Sequence, residues 1–200
     1  MQQQLGMYNS IFGSFFNEIQ VAIRREVFGE EIGQFGWLGT DEYRTFLDWM
    51  ELTADHHVLD VACGSGGPSL FLARTVGCRI TGIDINEHGI AIAKQAATDA
   101  GLHPRIQFQV VDVTKPLPFD PASFDALVCT EAMVHFPDRL KMLQEWFRVL
   151  RPGARILYTD GGIITGVLSN TEAATRSAHG SFMFVPPGLN ETLIAQAGFR

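Results

Sequence analysis

His57-Val58-Leu59-Asp60-Val61-Ala62-Cys63-Gly64-Ser65-Gly66-Gly67-Pro68 reads as a strand, a glycine turn and the start of a helix. Val58, Leu59 and Val61 suit a strand buried on both faces, where apolar residues run almost without interruption. Gly64, Gly66 and Gly67 permit a tight turn and leave no side chain between the backbone and a ligand. Pro68 suits the first helical position, where its missing N–H would have no partner. Ser69-Leu70-Phe71-Leu72-Ala73-Arg74 continues the helix. The pattern is a crossover of a doubly wound α/β sheet, with a ligand at the carboxyl end of the strand.

The glycine spacing nearly fits Gly-x-Gly-x-x-Gly, with Ser69 at the third glycine, which would suggest a dinucleotide. Two features oppose it. Asp60 sits where a pyrophosphate would lie, and a carboxylate there repels it. Pro68 removes one of the helix-start N–H groups that would hold a phosphate. A carboxylate beside a glycine turn better suits a ligand with positive charge. S-adenosylmethionine carries a sulfonium and an ammonium group and no phosphate.

From Val58 to Gly67 the chain resembles the first motif of the class I S-adenosylmethionine-dependent methyltransferases of the small-molecule, type 11-like kind. That motif usually has glycine where this chain has Ala62, a departure that narrows the turn slightly. The resemblance runs over roughly residues 55 to 160 by ordered motifs. It implies a Rossmann-like, mostly parallel sheet, with the turn residues Asp60, Ala62, Cys63, Gly64 and Gly66 around the cofactor. Asp84, with Ile85 beside it, ends the second strand (Cys78 to Ile85) and follows Gly64 by 20 residues. A carboxylate there accepts hydrogen bonds from both ribose hydroxyls, and the resemblance implies the same role. The third strand, Ile106 to Asp112, implies Asp112 on the adenine amino group and the Val113 backbone against the ring. The bland alternative for Asp112 is a turn former. The fourth strand, Phe124 to Thr130, opens into Glu131-Ala132-Met133-Val134-His135-Phe136-Pro137-Asp138. This segment resembles the fourth family motif, which lines the cofactor with Thr130 and faces the methyl acceptor.

Composition narrows the partners. A hydrophobic share of 46% and a charged share of 18% fit one globular domain in 200 residues. The net charge is −7 and the fifteen Lys and Arg are scattered, so a nucleic-acid partner is not expected. No apolar run reaches membrane-span length, and Met1 to Gly6 lacks the features of a signal peptide. Cys63, Cys78 and Cys129 suit neither a disulfide framework nor a metal site, which makes a reducing cytoplasm the default.

Residues 1–54 are expected to form a helical lid or cap, and residues 55–200 the cofactor-binding domain. From Ser10, the positions Ile11, Phe12, Phe15, Phe16, Ile19, Ala22, Ile23 and Val27 recur at helical spacing, ending before Gly29. Core packing of that stripe is the favoured reading; a lid with Tyr8 or the Phe pairs facing the ligand is the other. Gly33-Gln34-Phe35-Gly36-Trp37-Leu38-Gly39 is either ordinary loop or a substrate-contacting one, with Tyr8, Gln34 and Trp37 as substrate candidates. Thr40 can cap the next helix, with Asp41 and Glu42 in its first turn and Tyr43, Phe46, Leu47 and Met50 as its buried stripe. Asn86 caps a helix that ends at Gly101, and Asp138 caps Arg139 to Leu150. Ala154 to Asp160 is the fifth strand. Residues 161–189 are expected to join the acceptor pocket.

The expected chemistry is direct in-line methyl transfer to a nitrogen, oxygen or carbon of a small molecule. An acceptor that starts protonated needs a base, and His135 and Glu131 are the candidates. An NAD(P)-dependent oxidoreductase and a cofactor-binding protein without catalysis remain as alternatives. Finally, Asn190 to Ala197 reads as a helix and Phe199-Arg200 as the start of a sixth strand. The sheet is therefore expected to lack its last two strands. The open edge would reflect a shortened chain, or be covered by another element or by a second copy in a homodimer.

Overall fold

The computed structural model describes residues 8–9, 11–12, 17–36, 38–177 and 182–200. Its elements are α1 (Glu18–Phe28), α2 (Thr40–Met50), β1 (His57–Val61), α3 (Gly67–Val76), β2 (Arg79–Asp84), α4 (Glu87–Asp99), β3 (Ile106–Val110) and β4 (Phe124–Cys129). A single 3₁₀ turn (Met133–His135), α5 (Arg139–Val149), β5 (Leu150–Tyr158), α6 (Asn170–Arg176) and α7 (Leu189–Ala197) complete them. Among the described residues no helix is long and apolar enough to cross a membrane.

The five strands form one parallel sheet in the order β3-β2-β1-β4-β5. Alternate residues of a strand point to opposite faces, and both faces of β1 are covered. Val58 packs with Tyr43, Leu47, Leu72 and Ile90 beneath α2, α3 and α4. Leu59 and Val61 pack with Leu143, Trp146 and Ala197 beneath α5 and α7. That double burial is why the strand reads as an unbroken apolar run. The chain winds outward from β1 to β3, then returns to lay β4 and β5 on the other side. A crevice opens where the winding reverses, at the carboxyl ends of β1 and β4.

Several expected boundaries move. Helix α3 begins at Gly67, so Pro68 is its second residue. Strand β3 stops at Val110, which leaves Asp112 in the following loop. Strand β5 starts four residues early, at Leu150, with a pairing irregularity opposite Phe124 to Ala126. Pro152 has no N–H to give a ladder, and an edge strand tolerates that. β4 is the sheet neighbour that β5 has among the described residues. Phe199 does not start a strand: its N–H bonds to the Ile194 carbonyl at 3.2 Å and its ring meets Phe147 edge-on at 5.2 Å.

Core packing of the first helix is overturned for its second half. Ile19, Ile23 and Val27 are 70%, 46% and 64% exposed, and the buried residue of α1 is Arg24. Arg24 turns inward to Glu31 at 2.7 Å, and the same Glu31 oxygen accepts the Gly33 N–H at 3.0 Å. Facing that pair toward the protein rotates the apolar stripe outward. Ser10, Phe15, Phe16 and Trp37, named above, lie outside the described residues.

Candidate active site

A cavity of about 340 Å³ occupies the crevice. Its floor is the turn after β1, its sides are the ends of β2 and β4, and its roof includes Tyr8, Phe12 and Phe35. The residues that leave the two central strands share an unusual backbone. Ala62 has φ 59° and Glu131 has φ 59°, the left-handed region that costs a non-glycine residue roughly 1 kcal/mol. For Ala62 this explains why a glycine suits the position. Gly66 sits at φ 79°, where a Cβ would also come within 2.7 Å of Phe108. A Cβ on Gly67 would run into the backbone carbonyls of Ile32 and Gly33. The 33–36 loop therefore docks directly on the first turn of α3.

Three aspartates lie along the cavity. Asp60 is 3% exposed and accepts a hydrogen bond from the Ser69 hydroxyl. Burial pushes its carboxyl up to about 7; the Ser69 bond pulls it down and the Asp84 charge pushes it further up. Asp84 accepts the Asn86 N–H at 2.7 Å on one oxygen and the Gly64 N–H at 2.9 Å on the other. Burial raises its pKa as well, against those backbone bonds. Asp112 accepts the Thr114 N–H at 3.0 Å and the Thr114 hydroxyl at 2.6 Å on one oxygen, and faces Lys115 at 3.3 Å with the other. The Thr114 hydroxyl bond leads in holding it below the usual carboxylate range. Asp112 is thus a turn former in its own loop and a cavity residue at once.

The roof is tied down on two sides. Asn86 caps α4 through the Gly89 N–H at 2.8 Å, and its amide donates to Asn9 at 2.9 Å. The Phe12 ring lies where Cβ atoms on Gly64 and Gly89 would crowd it at 3.3 and 3.2 Å. Tyr8, Phe12 and Phe35 form an aromatic group, with Tyr8 edge-on to Phe35 at 5.8 Å. The Tyr8 hydroxyl meets His135 Nε2 at 2.7 Å. Burial and then the Asp84 charge push the phenol up to about 12, so it keeps its proton; with His135 in its Nδ1–H tautomer the hydroxyl donates to Nε2. Tyr8 and Phe12 thus line the cavity, Phe12 being also buried.

Glu131 faces the cavity, but its carboxylate accepts from the Thr159 hydroxyl at 3.0 Å while its N–H donates to the same hydroxyl oxygen at 2.8 Å. The Gly36 backbone packs against this side chain closely enough to leave no room for a Cβ.

Of the residues singled out from the sequence, Tyr8, Asp60, Ala62, Cys63, Gly64, Asp84, Ile85, Asp112, Val113, Thr130, Glu131 and His135 line one cavity. Gly66 shapes the turn without lining it. Gln34 is not a cavity residue: it is 5% exposed, accepts the Ile32 N–H at 2.9 Å and braces its own loop. Trp37 falls outside the described residues. Described residues of the 161–189 segment do not line the cavity. They back the turn behind it, with Phe182 against the His135 ring at 5.3 Å and the Met183 N–H on the Val134 carbonyl at 2.8 Å. Sequence reasoning missed Ser69 as the partner of Asp60, Asn86 as a tie to the roof, and Phe136 and Pro137 as walls. A hydroxyl at the third-glycine position was the available signal for Ser69.

The methyltransferase domain family matches residues 58–153. Methyltransferase GfsG of Streptomyces halstedii is 35% identical over 125 residues, covering 62% of this chain and 44% of that protein. O-methyltransferase resE of Aspergillus sclerotiorum is 35% identical over 151 residues, covering 74% of this chain and 56% of that protein. The chain thus spans about half the length of the curated relatives it matches. Phosphoethanolamine N-methyltransferase 2 of Haemonchus contortus, in complex with S-adenosyl-L-methionine, superposes with a TM-score of 0.78 at 20% identity, covering 96% of this chain and 44% of that one. That likeness shows the fold. Residues 58–153 thus carry a methyltransferase domain, and the chain has the fold of the class I S-adenosylmethionine-dependent methyltransferases.

Proposed function

We propose that this chain transfers the methyl group of S-adenosylmethionine to a nitrogen, oxygen or carbon atom of a small-molecule acceptor. The observation that carries the reading is the charge of the cavity. Asp60, Asp84, Asp112 and Glu131 face it, and its described lining includes no Lys or Arg. A dinucleotide pyrophosphate would meet carboxylates and no cation, which argues against NAD(P). A ligand with an ammonium and a sulfonium suits the same walls, and a cavity of this size is ordinary for a small ligand. Asp84 is assigned to the ribose hydroxyls, Asp112 and Val113 to the adenine, and the turn from Asp60 to Gly64 with Thr130 to the methionine end. The cofactor, when bound, supplies an already activated methyl group. The protein then supplies placement, and aligned intramolecular reactions show effective molarities of about 10⁵–10⁸ M.

His135 is the proposed base, and Tyr8 closes over it. Because Nε2 is occupied by the Tyr8 hydroxyl, an acceptor proton can pass to Tyr8 Oη as the phenol proton moves to Nε2. Glu131, engaged by Thr159, serves better as a wall than as the base. Residues 1–54 are proposed as the cap over a binding domain of residues 55–200, supported by the contacts of Tyr8, Asn9 and Phe12. The three free, buried cysteines support a cytoplasmic setting. A second copy is the proposed occupant for the open edge of β5.

Titration calorimetry with S-adenosylmethionine and S-adenosylhomocysteine tests the cofactor, and incubation of labelled cofactor with a metabolite extract, read by mass spectrometry, tests transfer. Binding without label transfer would leave the non-catalytic reading standing. Binding of NAD instead would replace the reading with the oxidoreductase.

Asp60 adds a pH dependence. Its folded pKa of about 7 lies above the unfolded carboxylate value of about 3.9. Between those values the folded state holds the proton more tightly, so stability of the free protein falls as pH rises through that window and levels off above it. Asp84 shifts in the same direction. A cation in the cavity favours the ionised form, so cofactor affinity should rise over the same pH range. Thermal melts and calorimetry from about pH 5 to about pH 8 read both. Asp60→Asn should flatten the melts and weaken binding; a wild-type slope in that variant would remove Asp60 as the cause.

A further inference from the structure

Behind the turn that carries His135, three polar residues from three places in the fold meet in the core. Arg139 opens α5 and is 5% exposed, and Asn190, in the first turn of α7, is 8% exposed. Asp160 lies beyond β5, and its side chain is 3% exposed. Arg139 Nη1 donates to Asp160 Oδ2 at 2.5 Å and to Asn190 Oδ1 at 2.8 Å. The Asn190 amide donates to the same Asp160 oxygen at 2.8 Å. The other arm of the guanidinium, Nη2, donates to the Met133 carbonyl at 3.1 Å.

Met133 is two residues before His135. Its carbonyl also accepts the Phe136 N–H at 3.2 Å, the bond that closes the 3₁₀ turn. Both lone pairs of one carbonyl are thus in use. Swinging the Met133–Val134 peptide, and with it the imidazole, means breaking a charge-assisted bond in the core. The segment after β5 adds to the grip: the Gly162 N–H donates to Asp160 Oδ1 at 2.9 Å, and the Met183 N–H holds the Val134 carbonyl at 2.8 Å. For stability alone the cluster is a poor device, since a buried ion pair seldom outperforms apolar packing of the same volume.

We propose that Arg139, oriented by Asp160 and Asn190, is a positioning residue: through the Met133 carbonyl it fixes where His135 meets Tyr8 at the acceptor side of the cavity. The proposal rests on the reading of His135 as an acceptor-side group. It makes α7, whose Asn190 completes the cluster, part of what sets the catalytic geometry.

Arg139→Lys keeps a cation facing Asp160, but one nitrogen cannot also span to the Met133 carbonyl. Asn190→Ala leaves the ion pair and removes its third partner. With S-adenosylhomocysteine bound, the nuclear Overhauser contact between the Tyr8 and His135 rings should be lost in Arg139→Lys and weakened in Asn190→Ala, at unchanged S-adenosylhomocysteine affinity. Turnover with the acceptor found in the extract assay should fall by about tenfold to about a hundredfold, the scale of a displacement near 1 Å, with little change in KM. A lower melting temperature with wild-type ring contact and wild-type turnover would overturn the proposal and leave the cluster as scaffold. If Arg139→Lys does not fold, Asn190→Ala decides by the same comparison. A His135→Ala variant with wild-type turnover would end the base reading, while the ring contact would still test the positioning.

Discussion

Asp84→Ala weakens S-adenosylmethionine binding by about 10²-fold or more. Two charge-assisted hydrogen bonds to the ribose, each about 1.5–3 kcal/mol, together correspond to roughly 10²–10⁴ in affinity. The geometry adds a second route to the same loss. Asp84 also holds the Gly64 N–H at 2.9 Å and the Asn86 N–H at 2.7 Å, so its carboxylate organises the glycine turn that it faces. Calorimetry separates the two routes with adenosine and its 2′,3′-dideoxy counterpart as probes. If the ribose bonds dominate, the substitution costs adenosine far more than the dideoxy probe. An equal loss for both assigns the effect to the turn. Unchanged affinity for the whole cofactor, in a variant folded by circular dichroism, removes Asp84 from the ribose altogether.

What could be read in the sequence was whatever a local pattern encodes. The crossover around Gly64 was legible because a strand covered on both faces has no polar alternation, and because a tight turn there needs backbone that glycine supplies. Asp84 followed from chain geometry, as one crossover brings the end of the next strand beside the first turn. Periodicity also marked the apolar stripe of α1, but periodicity cannot tell which way a helix is turned. The Arg24–Glu31 pair decides that, and it involves a loop contact at 2.7 Å that no helical spacing announces. The 33–39 loop shows the same limit: Phe35 reaches the cavity while its neighbour Gln34 braces the loop, and composition treats them alike. The Tyr8–His135 bond joins positions 127 residues apart. Arg139, Asp160 and Asn190 likewise meet only in the folded chain: in isolation Asn190 reads as a helix cap, and Arg139 and Asp160 as ordinary polar residues at the ends of a helix and a strand.

The second large effect belongs to that Tyr8–His135 contact. For an acceptor that starts protonated, His135→Ala lowers turnover by about 10²–10⁴-fold, the usual range for loss of a general base. Cofactor affinity stays nearly intact, because the carboxylates assigned to the ribose and adenine lie elsewhere, at the end of β2 and in the loop after β3. Tyr8→Phe distinguishes how the proton travels. The phenol holds its proton up to about pH 12 and lies 2.7 Å from Nε2, so a relay through the hydroxyl to the imidazole needs both groups. In a relay, Tyr8→Phe is slow, and the double variant is little slower than either single one, since groups acting as a unit are strongly non-additive. If the acceptor instead displaces Tyr8 and reaches the imidazole directly, Tyr8→Phe keeps most of the turnover and its main change is in KM. Wild-type turnover in His135→Ala transfers the role to Glu131. Glu131→Gln then becomes the decisive variant, because it keeps an oxygen for the Thr159 hydroxyl bond while removing the charge. Wild-type rates in both variants mean that the acceptor arrives with a free lone pair and needs no base.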